Sequence, residues 1–182
     1  MKKVVLIWGL ISGLIIAAMT WLNASLVFDL NLVGTDKSEL LGYTSFVIAL
    51  SVIFFGIKSY RDNYRKGLVT FWKGVQIGVL ISLVATVFYF GGAEIYSMAK
   101  PEFKVKVLKV QEDEMTKHAM PAEQIERNMA LMKKLFDNPV LFFAACFIEM
   151  FPVGLVITLI CAAILRKKEI LPTAANVAIS VS

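Results

Sequence analysis

The chain has 182 residues, 58% of them hydrophobic and 18% charged, with a formal net charge of +5. Soluble domains carry about 25% charged residues, so a mean hydropathy of +0.70 excludes an ordinary soluble globule and places the chain in the membrane class. No nucleic-acid partner is expected.

A helix rises about 1.5 Å per residue, so roughly 20 apolar residues cross about 30 Å of hydrocarbon. Four runs are long enough. The first, residues 4–28, VVLIWGLISGLIIAAMTWLNASLVF, exceeds the roughly 7–15-residue apolar core of a cleaved signal peptide and reads as a span. Gly9, Gly13 and Ala17 form a small-xxx-small ribbon along it, a pattern that lets helix backbones approach closely. The second, residues 40–57, carries Gly42, Ser45, Ala49, Val52 and Gly56 at heptad spacing, which suits an interior face. The turn KSYRDNYRKG follows, where Lys58, Arg61, Arg65 and Lys66 alternate with Tyr60 and Tyr64. A basic and aromatic belt of this kind fixes topology and touches anionic lipid headgroups, with Asp62 as a local ion-pair partner.

The third run, residues 71–98, has a second small ribbon at Gly74, Gly78 and Ser82, and Lys73 can snorkel to the headgroups. Both ribbons are expected to pack within the chain, with homodimerisation through one of them as the alternative. Residues 100–138 are polar. Their second half, PAEQIERNMALMKKLFDNP, reads as an amphipathic helix: Glu123 and Glu126 lie near the positive end of its dipole, Lys133 and Lys134 near the negative end. Ile125, Met129, Met132 and Phe136 recur at helical spacing on one face. The first half alternates like a strand from Phe103 to Val107, yet Phe103, Val107 and Val110 also fit a helix. Helix is preferred, because a lone strand would have no pairing partner.

The fourth run, residues 139–165, starts at an N-cap signal, Asn138 followed by Pro139. Cys146 and Cys161 lie about 22 Å apart along this helix and cannot pair with each other, so they read as small packing residues. His118 has no metal-ligand spacing around it. The expected fold is all-α: a single membrane domain in which a four-transmembrane-helix bundle carries an extracytoplasmic helical segment between its third and fourth spans.

Four spans put both ends on one side. Lys2, Lys3, the group from Lys58 to Lys73, and Arg166, Lys167 and Lys168 sit tightly against span ends, whereas the cations of residues 100–138 are dispersed among acids. The positive-inside rule then gives a multi-pass membrane protein with N and C termini in the cytoplasm.

Glu149, in CFIEMFPVG, is the anomaly. Counted from Leu165, it stands roughly 24 Å above the cytoplasmic boundary. The same rise on the other spans reaches Thr20, Tyr43 or Thr44, and the stretch Thr86–Tyr89, so these residues share its layer. A carboxylate there should face the bundle and be protonated or accept hydrogen bonds from such hydroxyls. Glu149, Tyr43, Thr86, Tyr89 and Thr20 form the candidate intramembrane polar site, in which Glu149 is either a structural pin between helices or a proton- or ligand-binding group, and Pro152 frees the carbonyl of Ile148 beside it. Glu94 counts to about 35 Å, near the outer interface, too far for direct contact. No Walker sequence, HExxH, GxSxG or pair of carboxylates at helical spacing occurs. No catalytic residue, metal ligand or cofactor is assigned.

From Glu39 to Tyr89 the chain resembles the bacterial membrane-protein family catalogued as domain of unknown function 4199. The resemblance rests on Gly42, Tyr43, Ile48 to Ser51, Gly56 to Lys58 and Tyr60 to Asp62 in that order, and on the closing FIEMFPVGLVITLICAAILRKKE. It implies a compact four-span inner-membrane protein and no particular activity. The reading that follows is a non-enzymatic accessory or scaffold subunit binding membrane lipid, a protein partner or a second copy of itself. The alternative is a small transporter or proton-coupled carrier using Glu149.

Overall fold

A computed structural model describes residues 1–166, and Lys167 and Lys168 of the basic tail lie outside the described residues. Six helices follow one another: α1 (Lys2–Asp29), α2 (Asp36–Tyr64), α3 (Phe71–Ala99), α4 (Pro101–Lys117), α5 (Ala122–Asp137) and α6 (Pro139–Leu165). Of these, α1, α2, α3 and α6 are long and apolar enough to cross a membrane. Exposed Leu6, Leu14, Val47, Phe55 and Ile148 give the bundle the greasy outer surface that lipid requires.

Local chemistry sets the ends. Asn138 Oδ1 accepts from the amides of Val140 and Leu141, at 3.0 and 3.3 Å, while Pro139 occupies the first turn of α6. Thr70 caps α3 through the amide of Lys73. The turn after α2 closes with Lys66 and Gly67 at positive φ. α2 outruns its apolar stretch at both ends. The basic segment read as a turn from Lys58 to Gly67 is therefore helical as far as Tyr64, held by a Tyr60–Tyr64 stack and an Asn63-to-Ser59 hydrogen bond. Polar side chains at i and i+4 continue a helix beyond the point where hydropathy stops signalling it. Segment 101–117, where a strand was the competing reading, is helix.

The four long helices form a ring in the order α1, α3, α6, α2, with α1 and α6 at opposite corners. Along α1 and α3, Gly9 meets Val84, Gly13 meets Phe88 and Ala17 meets Gly92, so these neighbours run parallel. Along α3 and α6, Gly74 meets Ala162, Gly78 meets Thr158 and Ser82 meets Gly154, so these run antiparallel. Each small ribbon lies against a helix of the same chain. A Cβ on Gly78 would stand 2.5 Å from Thr158 Cγ2, closer than real side chains approach, so the α3–α6 contact requires glycine there.

The ring has two unlike ends. One, the basic end, carries Lys2, Lys3, Lys58, Arg65, Lys66 and Lys73. It rests on a closed core in which Leu50, Ile53, Ile57, Ile77 and Ile81 are wholly buried. The other is roofed by α4 and α5. α5 lies on α4 and α6 with Met129 buried and Ile125, Met132 and Phe136 half-buried, which is the apolar stripe of the sequence. α4 is fixed by its lysines: Lys106 Nζ donates to the carbonyl of Phe28 at 3.0 Å and to Asn31 Oδ1, and Lys104 Nζ to the carbonyl of Phe136 at 3.3 Å. Each ammonium thus meets the negative end of a helix, α1 or α5.

Candidate ligand cleft at Glu149

α6 runs through Pro152 without a break and presents Glu149 toward the roofed end, beside the outer halves of α2 and α3. Tyr89 Oη donates to Glu149 Oε2 at 2.9 Å, and this is the only hydrogen bond of Glu149 among the described residues. Phe46 packs edge-on against the Tyr89 ring at 5.1 Å and also against Tyr43, so one aromatic row holds the phenol in place.

Glu149 is not sealed in. It opens on a cleft of about 410 Å³ bounded by α1, α2, α3 and α6 and roofed by Phe103, Val107 and Gln111 of α4 and Phe136 of α5. A smaller annex of about 300 Å³, lined by Ser38, Glu39, Gly42, Tyr43 and Glu149, lies between the outer ends of α2 and α6. Gly42 has no atom within 4 Å of the place a Cβ would occupy, so the two helices part here.

The counted layer is divided by the fold. Tyr89 bonds Glu149, Tyr43 shares its annex, and Thr20 lines the main cleft with its hydroxyl donated to the Ile16 carbonyl at 2.8 Å. Thr86 does not join them: wholly buried, it donates to the Ser82 carbonyl and touches Met150 Sδ at 3.8 Å. The basic residues are remote from the cleft. Arg61 is paired with Asp62 at 2.7 Å, while Lys58, Arg65 and Lys66 are exposed at the basic end. Gly9, Gly13, Gly74 and Gly78 serve the helix contacts described above.

Other polar lining residues escaped the sequence reading. Asn23 donates to the Leu41 carbonyl at 3.3 Å and to Ser45 Oγ at 2.6 Å, joining α1 to α2 in the cleft wall. Ser38, Glu39, Ser97 and Gln111 also line it. An Asn within twenty-odd apolar residues was the available signal for Asn23, because polar groups in a span seek interhelical partners. Cys146 and Cys161 are free and buried, and no group of three or more His, Cys, Asp or Glu able to hold a metal occurs among the described residues.

The family model described as "Protein of unknown function (DUF4199)" matches residues 7–167. No curated protein and no solved structure matches the chain.

Proposed function

The chain belongs to this family of unknown function, and from the cleft itself we propose that it is a non-enzymatic accessory protein of the bacterial inner membrane that holds an amphiphilic molecule, such as a membrane lipid, at the roofed end. The single observation that carries the reading is the shape and lining of the cleft. It is a volume of about 410 Å³ with apolar walls from Ile16, Val27, Phe46 and Phe142, interspersed hydroxyl and amide groups, and two carboxylates, Glu39 and Glu149. Binding sites are commonly apolar cavities of roughly 300–1,000 Å³ with a few placed polar groups. The orientation that goes with it has both termini in the cytoplasm and the roofed end outside, on the asymmetry of basic residues.

A proton-coupled carrier is the competing reading, since Glu149 reaches an open cleft. Against it stands the packing beneath: Leu50, Ile53, Ile57, Ile77 and Ile81 are fully buried between the cleft and the basic end. A cleft over such a plug favours holding over conducting.

The test fills the site. Gly42→Phe places a ring in open space, so the fold should survive while the cleft is occupied. Lipid co-purifying with the parent chain in mild detergent, measured by mass spectrometry after extraction, should be depleted in Gly42→Phe at unchanged thermal stability. Equal retention in both proteins would overturn the reading.

A further inference from the structure

Resting on that reading, we propose that the cleft selects its amphiphile by a protonated amine: a primary ammonium seated at the annex between Glu39 and Glu149, with its aliphatic body in the main cleft. The first ground is charge. Among the described residues, Glu39 and Glu149 are the only carboxylates lining the two spaces, and neither lining includes a lysine, arginine or histidine. Lys104 and Lys106, which flank the roof residues Phe103 and Val107, point instead at the carbonyl ends of α5 and α1. A phosphate or carboxylate with no ammonium of its own would find no counter-charge in this space, whereas a cation would find two.

The second ground is where the hydroxyl protons go. Thr20 donates to Ile16, Ser38 to the Thr35 carbonyl at 2.7 Å, Ser45 to the Leu41 carbonyl at 2.8 Å and Tyr89 to Glu149. The amide of Asn23 is committed to Leu41 and Ser45. What these groups can offer a guest is their lone pairs, and the second carboxylate oxygen of Glu149 has no partner among the described residues. The wall is therefore rich in acceptors, which matches the three N–H donors and absent acceptor of an ammonium. Donors that remain uncommitted, on Tyr43, Tyr96, Ser97 and Gln111, are neutral and cannot balance an anion.

The third ground is a vacancy in the hydrogen-bonding of the wall. Ser97, only 6% exposed, lines the main cleft, and its Oγ has no partner among the described residues. A buried hydroxyl is normally satisfied, and leaving it bare is unfavourable. A guest carrying a second polar atom, as an ester or hydroxyl of a lipid does, would complete it.

An aminophospholipid headgroup and a free alkylamine share this chemistry, and the experiment separates them. The delipidated full chain in detergent is titrated, by native mass spectrometry, with dihexanoyl phosphatidylethanolamine against dihexanoyl phosphatidylglycerol and with dodecylamine against dodecanol. Charge-assisted hydrogen bonds to two carboxylates predict a preference of about tenfold or more for an amine over its partner. Preference confined to the phosphatidylethanolamine pair identifies the lipid as the source, and preference confined to dodecylamine identifies the free amine. The preference should vanish in the Glu39→Gln/Glu149→Gln double variant, whose thermal stability should stay near that of the parent. Equal binding within both pairs, or a preference that survives in the double variant, overturns the ammonium proposal. Equal binding that Gly42→Phe still abolishes leaves the amphiphile reading standing, and binding that Gly42→Phe leaves untouched removes both.

Discussion

The two halves of the bundle are built on opposite rules. Toward the basic end, glycines are pressed against neighbours: Gly74 on Ala162, Gly78 on Thr158 and Gly56 on Ile81. The space among them is filled by fully buried aliphatic side chains. Toward the roofed end, Gly42 and Gly91 touch nothing, and the interior is a cleft with hydroxyls, an asparagine and two carboxylates in its wall. Helix association in lipid lacks a hydrophobic drive and relies on close packing and interhelical hydrogen bonds. The first half is mainly close-packed, with one bond across helices from Ser12 to the Ala49 carbonyl at 2.7 Å; the second keeps a close contact of Gly92 with Ala17 but adds the interhelical bonds of Asn23 and Tyr89 and encloses the cleft. On the proposed reading, stability falls to one half and ligand binding to the other.

The comparison is sharpened most by showing which half faces outward, because the outcome is all-or-none. Cysteine at Lys117, at the end of α4, in a chain with Cys146 and Cys161 replaced, is expected to react with an impermeant thiol reagent on intact spheroplasts. The Lys117 side chain is well exposed and makes only a surface ion pair with Glu114, so the substitution is harmless to the fold. Labelling only after lysis would reverse the orientation.

Next in size is a pair of glycine substitutions that should differ sharply. Gly78→Leu drives a branched side chain into Thr158, where a Cβ alone already lies at 2.5 Å, and overpacking of this kind costs about 1–3 kcal/mol or prevents assembly. Gly42→Leu enters open space and should leave thermal stability in detergent near that of the parent. Equal destabilisation by the two would erase the distinction between the halves.

How much of this could be read beforehand depended on the kind of information. The four spans followed from hydropathy and length, and the depth of Glu149 followed from helical rise, which brought Tyr89 into its layer. Rise fixes height but not azimuth. Thr86 counted to the same layer, yet it faces Met150, because helix rotation is set by how the small ribbons dock. The cleft was not legible at all: it arises from the parting of α2 and α6 and from the roof, which are tertiary facts. The lysines of FKVKVLKV looked like an alternating strand, and their spacing is explained by two helix ends that each need a cation.

A moderate effect is expected at the carboxylate. Glu149→Gln keeps an acceptor for the Tyr89 hydroxyl and should unfold within a degree or two of the parent. Glu149→Leu removes that partner, and the loss should be about 1–2 kcal/mol by model-peptide values for interhelical hydrogen bonds in membranes. Thermal unfolding of both variants, beside a loss-of-function phenotype, reads the two roles apart. A Gln protein that is stable and functionally dead yet still prefers the amine would mean that a proton must come and go, and the carrier reading would displace the binding one.

The smallest effect tests what holds the roof over the cleft. Lys106 places its ammonium on the carbonyl end of α1, bonds Asn31 and lies 4.5 Å from the centre of the Phe28 ring. A cation at a helix C-terminus stabilises by about 0.3–1 kcal/mol, and an exposed cation–π contact adds a similar amount. Lys109, one turn on and exposed, makes no such bonds among the described residues. Lys106→Ala should therefore lower the unfolding temperature slightly, whereas Lys109→Ala should not. Because α4 is tied to α1 by this lysine and supplies Phe103, Val107 and Gln111 to the cleft, the loss of retained lipid in Lys106→Ala should exceed what its small destabilisation explains. If Lys106→Ala and Lys109→Ala retain lipid equally, the roof is not held by the α1 end, and the apolar contacts of Phe103 with Phe28 and Tyr96 must hold it instead.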